Sequence, residues 1–254
     1  MIEQKALAYV NMYGVLGSLE NLCAIDDVAK AALQEMKKPY ALCFNVKDGP
    51  CCTFSFSAEG CKMAMGSKSC DGRMDFASPE KFNDLINASK PGIPVKDPVG
   101  TIAFLLGTFT KLTDRLNEVL RPSEEALSDR AFYEENTLMT LYVIAGAIPA
   151  LANYDSISKV SADFTVDGDV EMSIPDKAAI TIRVKNHRFS FKKGGAASPR
   201  AKMAFANLDL ANGLFSGKVS TVNELCAGNI RISGMISMID NINRILDRVS
   251  VYLA

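Results

Sequence analysis

Apolar and polar residues alternate along two stretches of the chain, and each alternation predicts four short β-strands. Turn residues such as those at 47–50 separate consecutive strands, and spacing this tight is typical of an antiparallel meander. The first set comprises residues 41–46, 51–57, 61–65 and 73–77. The second set comprises residues 170–174, 179–185, 188–192 and 202–206.

Segments whose apolar residues recur at helical spacing lie before and after both sets of strands. Apolar residues before each set share one helix face, and after each set the pattern predicts a short helix, a fifth strand and a last helix. In the first half these three elements are residues 79–88, 101–106 and 108–120. In the second half they are residues 208–215, 229–233 and 235–252. The predicted fold class is α+β, with two tandem copies of a five-stranded, mainly antiparallel sheet that carries helices on one face.

The two halves match at an offset that stays between 126 and 129 residues. Asp26 and Asp155 lie 129 apart, and DRLNEVL at 114–120 matches DNINRIL at 240–246 with an offset of 126. An offset held along the whole chain indicates an internal duplication. The predicted domains are residues 1–122 and 123–254, because Pro122 stops one helix and Ser123 can cap the next.

Composition narrows the function classes. The chain is 48% apolar and 22% charged, with a net charge of −1, so it lacks the basic balance of a nucleic-acid-binding protein. Its first residues lack the basic and apolar segments of a signal peptide, which favours a cytoplasmic location. The apolar run at 137–154 has the length of a membrane span, but Pro149 and Asn153 within it favour a buried helix of a soluble protein.

Candidate catalytic chemistry is sparse. The chain has seven cysteines and no CxxC, an odd count that favours reduced thiols. A metal site formed by Cys43, Cys51, Cys61 and Cys70 matches no familiar ligand spacing, so small apolar core residues are the favoured interpretation. His187 is the single histidine and falls in a predicted turn. We therefore expect a protein that is not an enzyme and that holds no metal and no cofactor.

Three segments resemble the sterol-carrier-protein type-two domain. FNVKDGP at 44–50 resembles the opening hairpin of that family. AFANLDLANGLFSGK at 204–218 and GNIRISGM at 228–235 resemble its short helix ending in Gly-Lys, followed by a strand whose final Gly starts the last helix. The resemblance covers both copies from about residues 40 and 165. The first copy departs from it, because INASK at 86–90 replaces the Gly-Lys helix end and a proline-rich insertion follows.

The resemblance implies non-catalytic binding or transport of an apolar ligand, such as a fatty acid, acyl-CoA or sterol, in a tunnel between sheet and last helix. Arg231 and Lys218 are candidate partners for a polar head group, although surface solvation is the more ordinary role for both. The expected partners are this lipid, transient contact with a membrane and a second copy in a homodimer, with no nucleic acid. The residues expected to line the tunnel are Phe104, Leu106, Phe109, Leu112, Ile230, Ile232, Met235, Met238, Ile239 and Ile242.

Two other functions are also compatible with the sequence. The domains can be an interaction or dimerisation module whose cores are closed, or the cysteine-rich strands of the first copy can carry a thiol- or metal-dependent activity. A continuous apolar cavity of roughly 300 Å³ or more would favour ligand binding, and a filled core would favour the interaction module.

Overall fold

The computed structural model describes residues 2–87 and 99–253 of the chain. The chain divides into two compact units, Met1–Ser128 and Asp129–Ala254. Each unit is α+β, with a mixed sheet whose inner face packs against helices.

Unit 1 begins with a nearly continuous helical segment that leads into its sheet. Short segments with π-helical hydrogen bonding occur at Val10–Val15 and Leu105–Phe109. A 3₁₀ turn at Leu16–Ser18 precedes α2. The helices are α1 Gln4–Tyr9, α2 Leu19–Ile25, α3 Asp27–Gln34, α4 Pro79–Ile86, α5 Val99–Phe104 and α6 Thr110–Leu120. The strands are β1 Tyr40–Val46, β2 Cys51–Ser57, β3 Gly60–Met65 and β4 Gly72–Phe76.

Unit 2 follows the same order with one further strand. Ser123, the predicted cap, accepts from the Ala126 backbone at a short 3₁₀ turn at the end of unit 1. The first helix of unit 2 is instead capped by Asp129, which accepts from the Phe132 backbone. The helices are α7 Arg130–Tyr154, α8 Ser156–Asp163, α9 Leu208–Phe215, α10 Thr221–Cys226 and α11 Ile236–Leu253. The strands are β5 Gly168–Ile174, β6 Ala178–Lys185, β7 Arg188–Lys193, β8 Ala201–Phe205 and β9 Ile230–Gly234.

The first four predicted strands of each unit exist, but the predicted meander is wrong at the fourth strand of each unit. The sheet orders are β3-β2-β1-β4 and β7-β6-β5-β8-β9. β4 runs parallel to β1, and β8 runs parallel to β5, whereas the remaining pairs are antiparallel. Both sheets are therefore mixed, because the chain crosses the sheet before its fourth strand.

The loop between the third and fourth strands, residues 66–71 in unit 1 and 194–200 in unit 2, lies over the outer face of the sheet. We call it the crossing loop. In unit 1 the Thr53 hydroxyl donates to the Gly66 carbonyl at 3.0 Å, and the Asp71 backbone donates to the Ala41 carbonyl at 2.8 Å. In unit 2 the Thr181 hydroxyl donates to the Gly194 carbonyl at 2.8 Å. These bonds satisfy the backbone of a short loop that spacing alone would place in a hairpin.

The fifth strand expected at 101–106 is a helix. Residues 101–104 belong to α5, and Leu105–Phe109 continues the helical path into α6. The buried side chains Thr101, Leu105, Leu112 and Leu116 fall close to helical spacing, so the periodicity of α6 extends backwards through this apolar run. Unit 1 consequently has a four-stranded sheet within the described residues, and β9 in unit 2 forms as predicted.

A buried aspartate joins two helices to the last helix in each unit. Asp26 caps α3 through the Ala29 backbone at 2.6 Å and receives the Arg115 guanidinium of α6 at 2.9 Å. Asp155 caps α8 through the Ser158 backbone at 2.8 Å and receives Arg248 of α11 at 3.2 Å. Tyr252 also donates to Asp155 at 2.7 Å. The carboxylate is therefore both a helix cap and the acceptor for the last helix.

These ion pairs correct the match between the two last helices. Arg115 and Arg248 play the same part but lie 133 residues apart, so DRLNEVL corresponds in position to DRVSVYL at 247–253. The sequence match with DNINRIL is displaced by seven residues. Seven residues are close to two helical turns, so the displacement preserves the apolar face and only the polar partners reveal it.

The apolar run at 137–154 lies within α7. By length and composition, α7 is the described helix that could cross a membrane, and 72% of its most apolar window is buried inside the protein. Its burial in unit 2 agrees with the expected buried helix.

We expect Asp155→Ala to destabilise unit 2 by about 3 kcal/mol, because it removes a helix cap and leaves the Arg248 charge without its carboxylate. Burial raises the pKa of Asp155, but hydrogen bonds from Arg248, Ser158 and Tyr252 outweigh burial and hold that pKa below its ordinary value of 3.8. The carboxylate therefore stabilises the fold fully above pH 3.8, and this contribution is lost as pH falls through the lower folded-state pKa. Urea unfolding at several pH values measures both effects, with exposed Asp163→Ala as the control that should change little.

We expect Gly234→Ala to destabilise unit 2 by about 2–4 kcal/mol, because Gly234 has a φ of +82° and an added Cβ would lie 2.2 Å from the Arg200 carbonyl oxygen. Gly100 lies in α5 with open space around the same position, so Gly100→Ala should be neutral or slightly stabilising. Thermal unfolding of both variants tests this. Equal effects of the two substitutions would contradict the prediction.

Candidate functional site

The inner layer of unit 2 is built from α11 and the inner face of its sheet. Met238, Ile239 and Ile242 of α11 are buried, as the sequence predicts for residues facing the sheet. Ile230 of β9 is buried as well. Two methionines that the sequence analysis did not select, Met172 and Met203, add flexible side chains to the same layer. Both lie on the side of their strand where buried residues alternate with exposed ones, and this alternation could have identified them from the sequence.

This layer is incompletely covered at β9. Ile232 lies on the inner face, since it pairs with Met203 and alternates with the exposed Arg231, yet it is only half-buried. Met235, at the junction of β9 and α11, is 38% exposed. The predicted lining residues of unit 2 are thus brought together, and two of them stand where the apolar layer meets solvent.

In unit 1 aromatic rings contact one another in the corresponding layer. Phe104 stacks on Tyr40 with ring centroids 4.3 Å apart and lies 5.3 Å from Phe56. Phe109 lies 5.9 Å from Phe44 and 6.1 Å from Phe56. Such ring contacts are geometrically specific, and Phe104 and Phe109 themselves keep part of their surface exposed.

The predicted lining residues of unit 1 do not all reach this layer. Phe104 and Phe109 touch the sheet aromatics, and Leu112 is fully buried. Leu106 is 67% exposed, because it lies one position beyond the buried Leu105 on the helical path. Leu106 is therefore separated from the other three.

An asparagine side chain ties down the short helix in each unit, and it is buried in unit 1 and half-buried in unit 2. Asn83 of α4 accepts from the Asn11 amide at 3.0 Å, and Asn212 of α9 donates to the Thr137 hydroxyl at 2.8 Å. Asn212 also donates to Asn136 at 3.1 Å. Both amides hold the short helix against the first helix of their unit. Their shared offset of 129 was visible in the sequence, but their role as positioning residues was not.

The cysteines of unit 1 separate into groups on different sides of the sheet. Cys43 and Cys51 lie on the outer face, where Cys43 contacts Cys51 and Cys70. Cys61 instead contacts Cys23 of α2. Within residues 2–87 and 99–253, no three His, Cys, Asp or Glu side chains form a group able to hold a metal ion.

The thiol environments disfavour thiolates. Burial, followed by the neighbouring Cys43, raises the pKa of Cys51 to about 11. Burial also raises the pKa of Cys52, and the hydrogen bond with Cys23 together with burial raises that of Cys61. Nucleophilic cysteines have lowered pKa values, so these residues lack the property that a thiol enzyme requires.

An open depression of about 550 Å³ lies at the carboxyl ends of the parallel strands β1 and β4. Arg73 and Asn45 both donate to Asp75, at 3.0 and 2.9 Å. The depression is lined by Asn45, Lys47, Arg73, Asp75, Phe76 and Ala77. Its position differs from that of the predicted apolar tunnel, and its lining includes the charged side chains of Lys47, Arg73 and Asp75.

The remaining sequence candidates lie on the surface. Arg231 and Lys218 are exposed, and Arg231 points away from the inner layer. His187 occupies the β6–β7 turn with a φ of +56° and is exposed, as the sequence predicts.

No family model and no curated protein matches this chain. Among solved structures, the chain is similar to a protein described as UbiJ-SCP2 ubiquinone synthesis protein, with 10% identity and a TM-score of 0.35, over 44% of this chain and 95% of that one. It is also similar to sterol carrier protein 2-like 2 from Aedes aegypti, with 14% identity and a TM-score of 0.31, over 41% and 94%. A third similarity, to the sec-alkylsulfatase Pisa1 from Pseudomonas sp., has 9% identity and a TM-score of 0.28, over 82% and 60%.

We expect a thiol reagent at neutral pH to modify the exposed Cys226 first, and Cys51 far more slowly because its high pKa leaves little thiolate. The buried Cys23, Cys43 and Cys52 should react only after unfolding. Mass spectrometry with peptide mapping follows the order of labelling, and Cys226→Ser should remove the fast phase. Rapid labelling of Cys51 in the folded protein would instead indicate a reactive outer-face site.

Proposed function

We propose that unit 2 binds an apolar ligand without catalysing a reaction, in the layer between its sheet and α11. One observation carries the proposal: Ile232 and Met235 leave apolar surface open to solvent at the edge of an otherwise buried apolar layer. A ligand that enters there gains the burial of its own apolar surface together with that of these side chains.

The chemistry of the layer suits a flexible chain or ring system. Met172, Met203 and Met238 are unbranched and polarizable, and such side chains can change rotamer around ligands of different shape. Fatty acids, acyl-CoA and sterols are the candidate ligands, in line with the sequence resemblance to the sterol-carrier-protein type-two domain. The exposed Lys218 and Arg231 remain candidates for contact with a charged head group.

The two units are proposed to be copies of one domain, 1–122 and 123–254. Support comes from the paired Asp–Arg contacts and the paired crossing loops. Transport of a lipid through the cytoplasm with transient membrane contact, by a monomer or a homodimer, is part of the same proposal.

A second function is proposed for unit 1. Phe44, Phe56, Phe104 and Phe109 occupy the layer in which a ligand would lie. A core so filled favours a closed module that acts through its surface. On this proposal, unit 2 binds the ligand and unit 1 acts through its surface.

The test uses cis-parinaric acid, a fluorescent fatty acid, with the full chain. We expect saturable binding, and Ile232→Arg should weaken it at least tenfold, because a charge would then stand in the apolar opening. Ile232 is half-buried, so the variant should fold, and circular dichroism checks this.

Leu106→Arg is the matched control. Leu106 was predicted to line unit 1 but is exposed, so its substitution should leave probe binding unchanged. Equal losses in both variants, or no binding by the wild-type chain, would overturn the proposal. Native mass spectrometry of the freshly purified chain then counts bound ligands, with one per chain expected.

A further inference from the structure

Cys43 of unit 1 and Glu171 of unit 2 occupy equivalent positions beneath the crossing loop. Cys43 pairs with Thr53 across the sheet. Glu171 pairs with Thr181 in the same way. Both threonine hydroxyls donate to the carbonyl of the first residue of the crossing loop. The two units therefore share one loop geometry, and they differ in the side chain that the central strand presents to the loop.

In unit 2 this side chain is a carboxylate that ties the crossing loop to the sheet. Glu171 accepts a hydrogen bond from the Ala196 backbone of the loop at 3.0 Å. Its other carboxylate oxygen lies 3.5 Å from the Lys202 ammonium of β8. Hydrogen bonds to an ionised acceptor are among the stronger ones in proteins, so a charged contact fixes the loop of unit 2.

Unit 1 has thiols in place of this carboxylate. Cys43 is fully buried, and its thiol donates to the Ser67 hydroxyl of the loop at 3.3 Å. Cys70, near the other end of the loop, contacts the Cys43 thiol. The next residue, Asp71, exchanges two hydrogen bonds of 2.8 Å with the Ala41 backbone, which holds Cys70 beside β1. Thiols are weak donors and acceptors, so these contacts hold the loop less firmly than a carboxylate does.

Cys70 is the thiol neighbour of Cys43 that is better placed for a disulfide. The other neighbour, Cys51, pairs with Asn45, so it lies diagonally from Cys43 on the adjacent strand. Diagonal positions in a sheet are about 7–8 Å apart, which exceeds the span of a disulfide unless the strands move. Cys70 lies in the loop, outside the strand pairing, where the backbone can adjust.

We propose that Cys43 and Cys70 form a reversible disulfide that fixes the crossing loop of unit 1 to β1, with a small disulfide such as oxidised glutathione as the oxidant. The half-buried Cys70 reacts first. Its thiolate attacks one glutathione sulfur, the glutathione S–S bond breaks, and one reduced glutathione leaves. The Cys43 thiolate then attacks the Cys70 sulfur and displaces the second glutathione. The two protein thiols lose two protons and two electrons, and the electrons reduce one glutathione disulfide to two thiols.

The surroundings of Cys70 make this disulfide slow to form and resistant to reduction. Burial, followed by the neighbouring Cys43, raises the pKa of Cys70 above its ordinary value, and the Arg73 charge offsets this in part. Little thiolate is present at neutral pH, so exchange is slow. Reduction by exchange must expel a thiolate into the same unfavourable surroundings. The bond would lie on the outer face of unit 1, so it does not rest on the proposed function of unit 2.

The experiment uses the full chain with Cys226→Ser, which removes the exposed thiol, incubated with oxidised glutathione at about pH 8.5, the ordinary pKa of a thiol. Mass spectrometry of peptides kept under non-reducing conditions should find Cys43 joined to Cys70, with no glutathione attached. Calorimetry should show the Tm of unit 1 raised by about 5 °C or more, because the bond closes a long loop in the unfolded chain. Dithiothreitol should reverse both changes.

Cys51→Ser is the matched control, because it removes the other thiol neighbour of Cys43 and should still form the bond. Cys70→Ser should lose both the bond and the rise in Tm. Circular dichroism checks the fold of each variant, and peptide mapping of the Cys226→Ser chain decides the proposal whatever the fold of Cys70→Ser. A chain that stays reduced, a lasting glutathione adduct on Cys70, or a bond between Cys43 and Cys51 would each overturn it.

Discussion

A buried carboxylate at a break between two helices organises the helical layer of each unit. Asp26 and Asp155 have almost no exposed surface, so each needs partners that replace water. Backbone amides of the following helix supply one set of partners, and an arginine from the last helix supplies the other. The position of the last helix over the sheet, and hence the layer that α11 closes in unit 2, depends on this contact.

Local patterns were sufficient to predict most elements of the fold. Alternation located the first four strands of each unit, because one face of each sheet is buried and the other is largely polar. The pairing of β4 with β1 could not be predicted in this way, since it depends on a loop held by Thr53 on the outer face. The run at 101–106 was misassigned because a short apolar segment fits a buried strand and a buried helix equally well.

The candidate site was predictable to a similar degree. Helical spacing placed Met238, Ile239 and Ile242 on one apolar face of the last helix, and all three are buried. Spacing could not tell how completely the layer is covered, because coverage depends on neighbouring elements. In unit 1 the rings of Phe104 and Phe109 contact the sheet aromatics, whereas in unit 2 β9 leaves Ile232 partly exposed.

The crossing loops also set an order of assembly. The antiparallel hairpins join residues close in sequence, such as Ser57 and Gly60, whereas the parallel pair joins Cys43 to Arg73. Bringing residues so far apart in sequence together costs more chain entropy than closing a hairpin. In addition, the crossing loop packs on the outer face of β1 and β2, which has to be formed first. We therefore expect the three-stranded hairpin array to form before the fourth strand in each unit. The buried inner face, and with it any ligand layer, is therefore completed by pairings between residues about thirty positions apart, such as Val170 with Ala201 and Ala201 with Gly234.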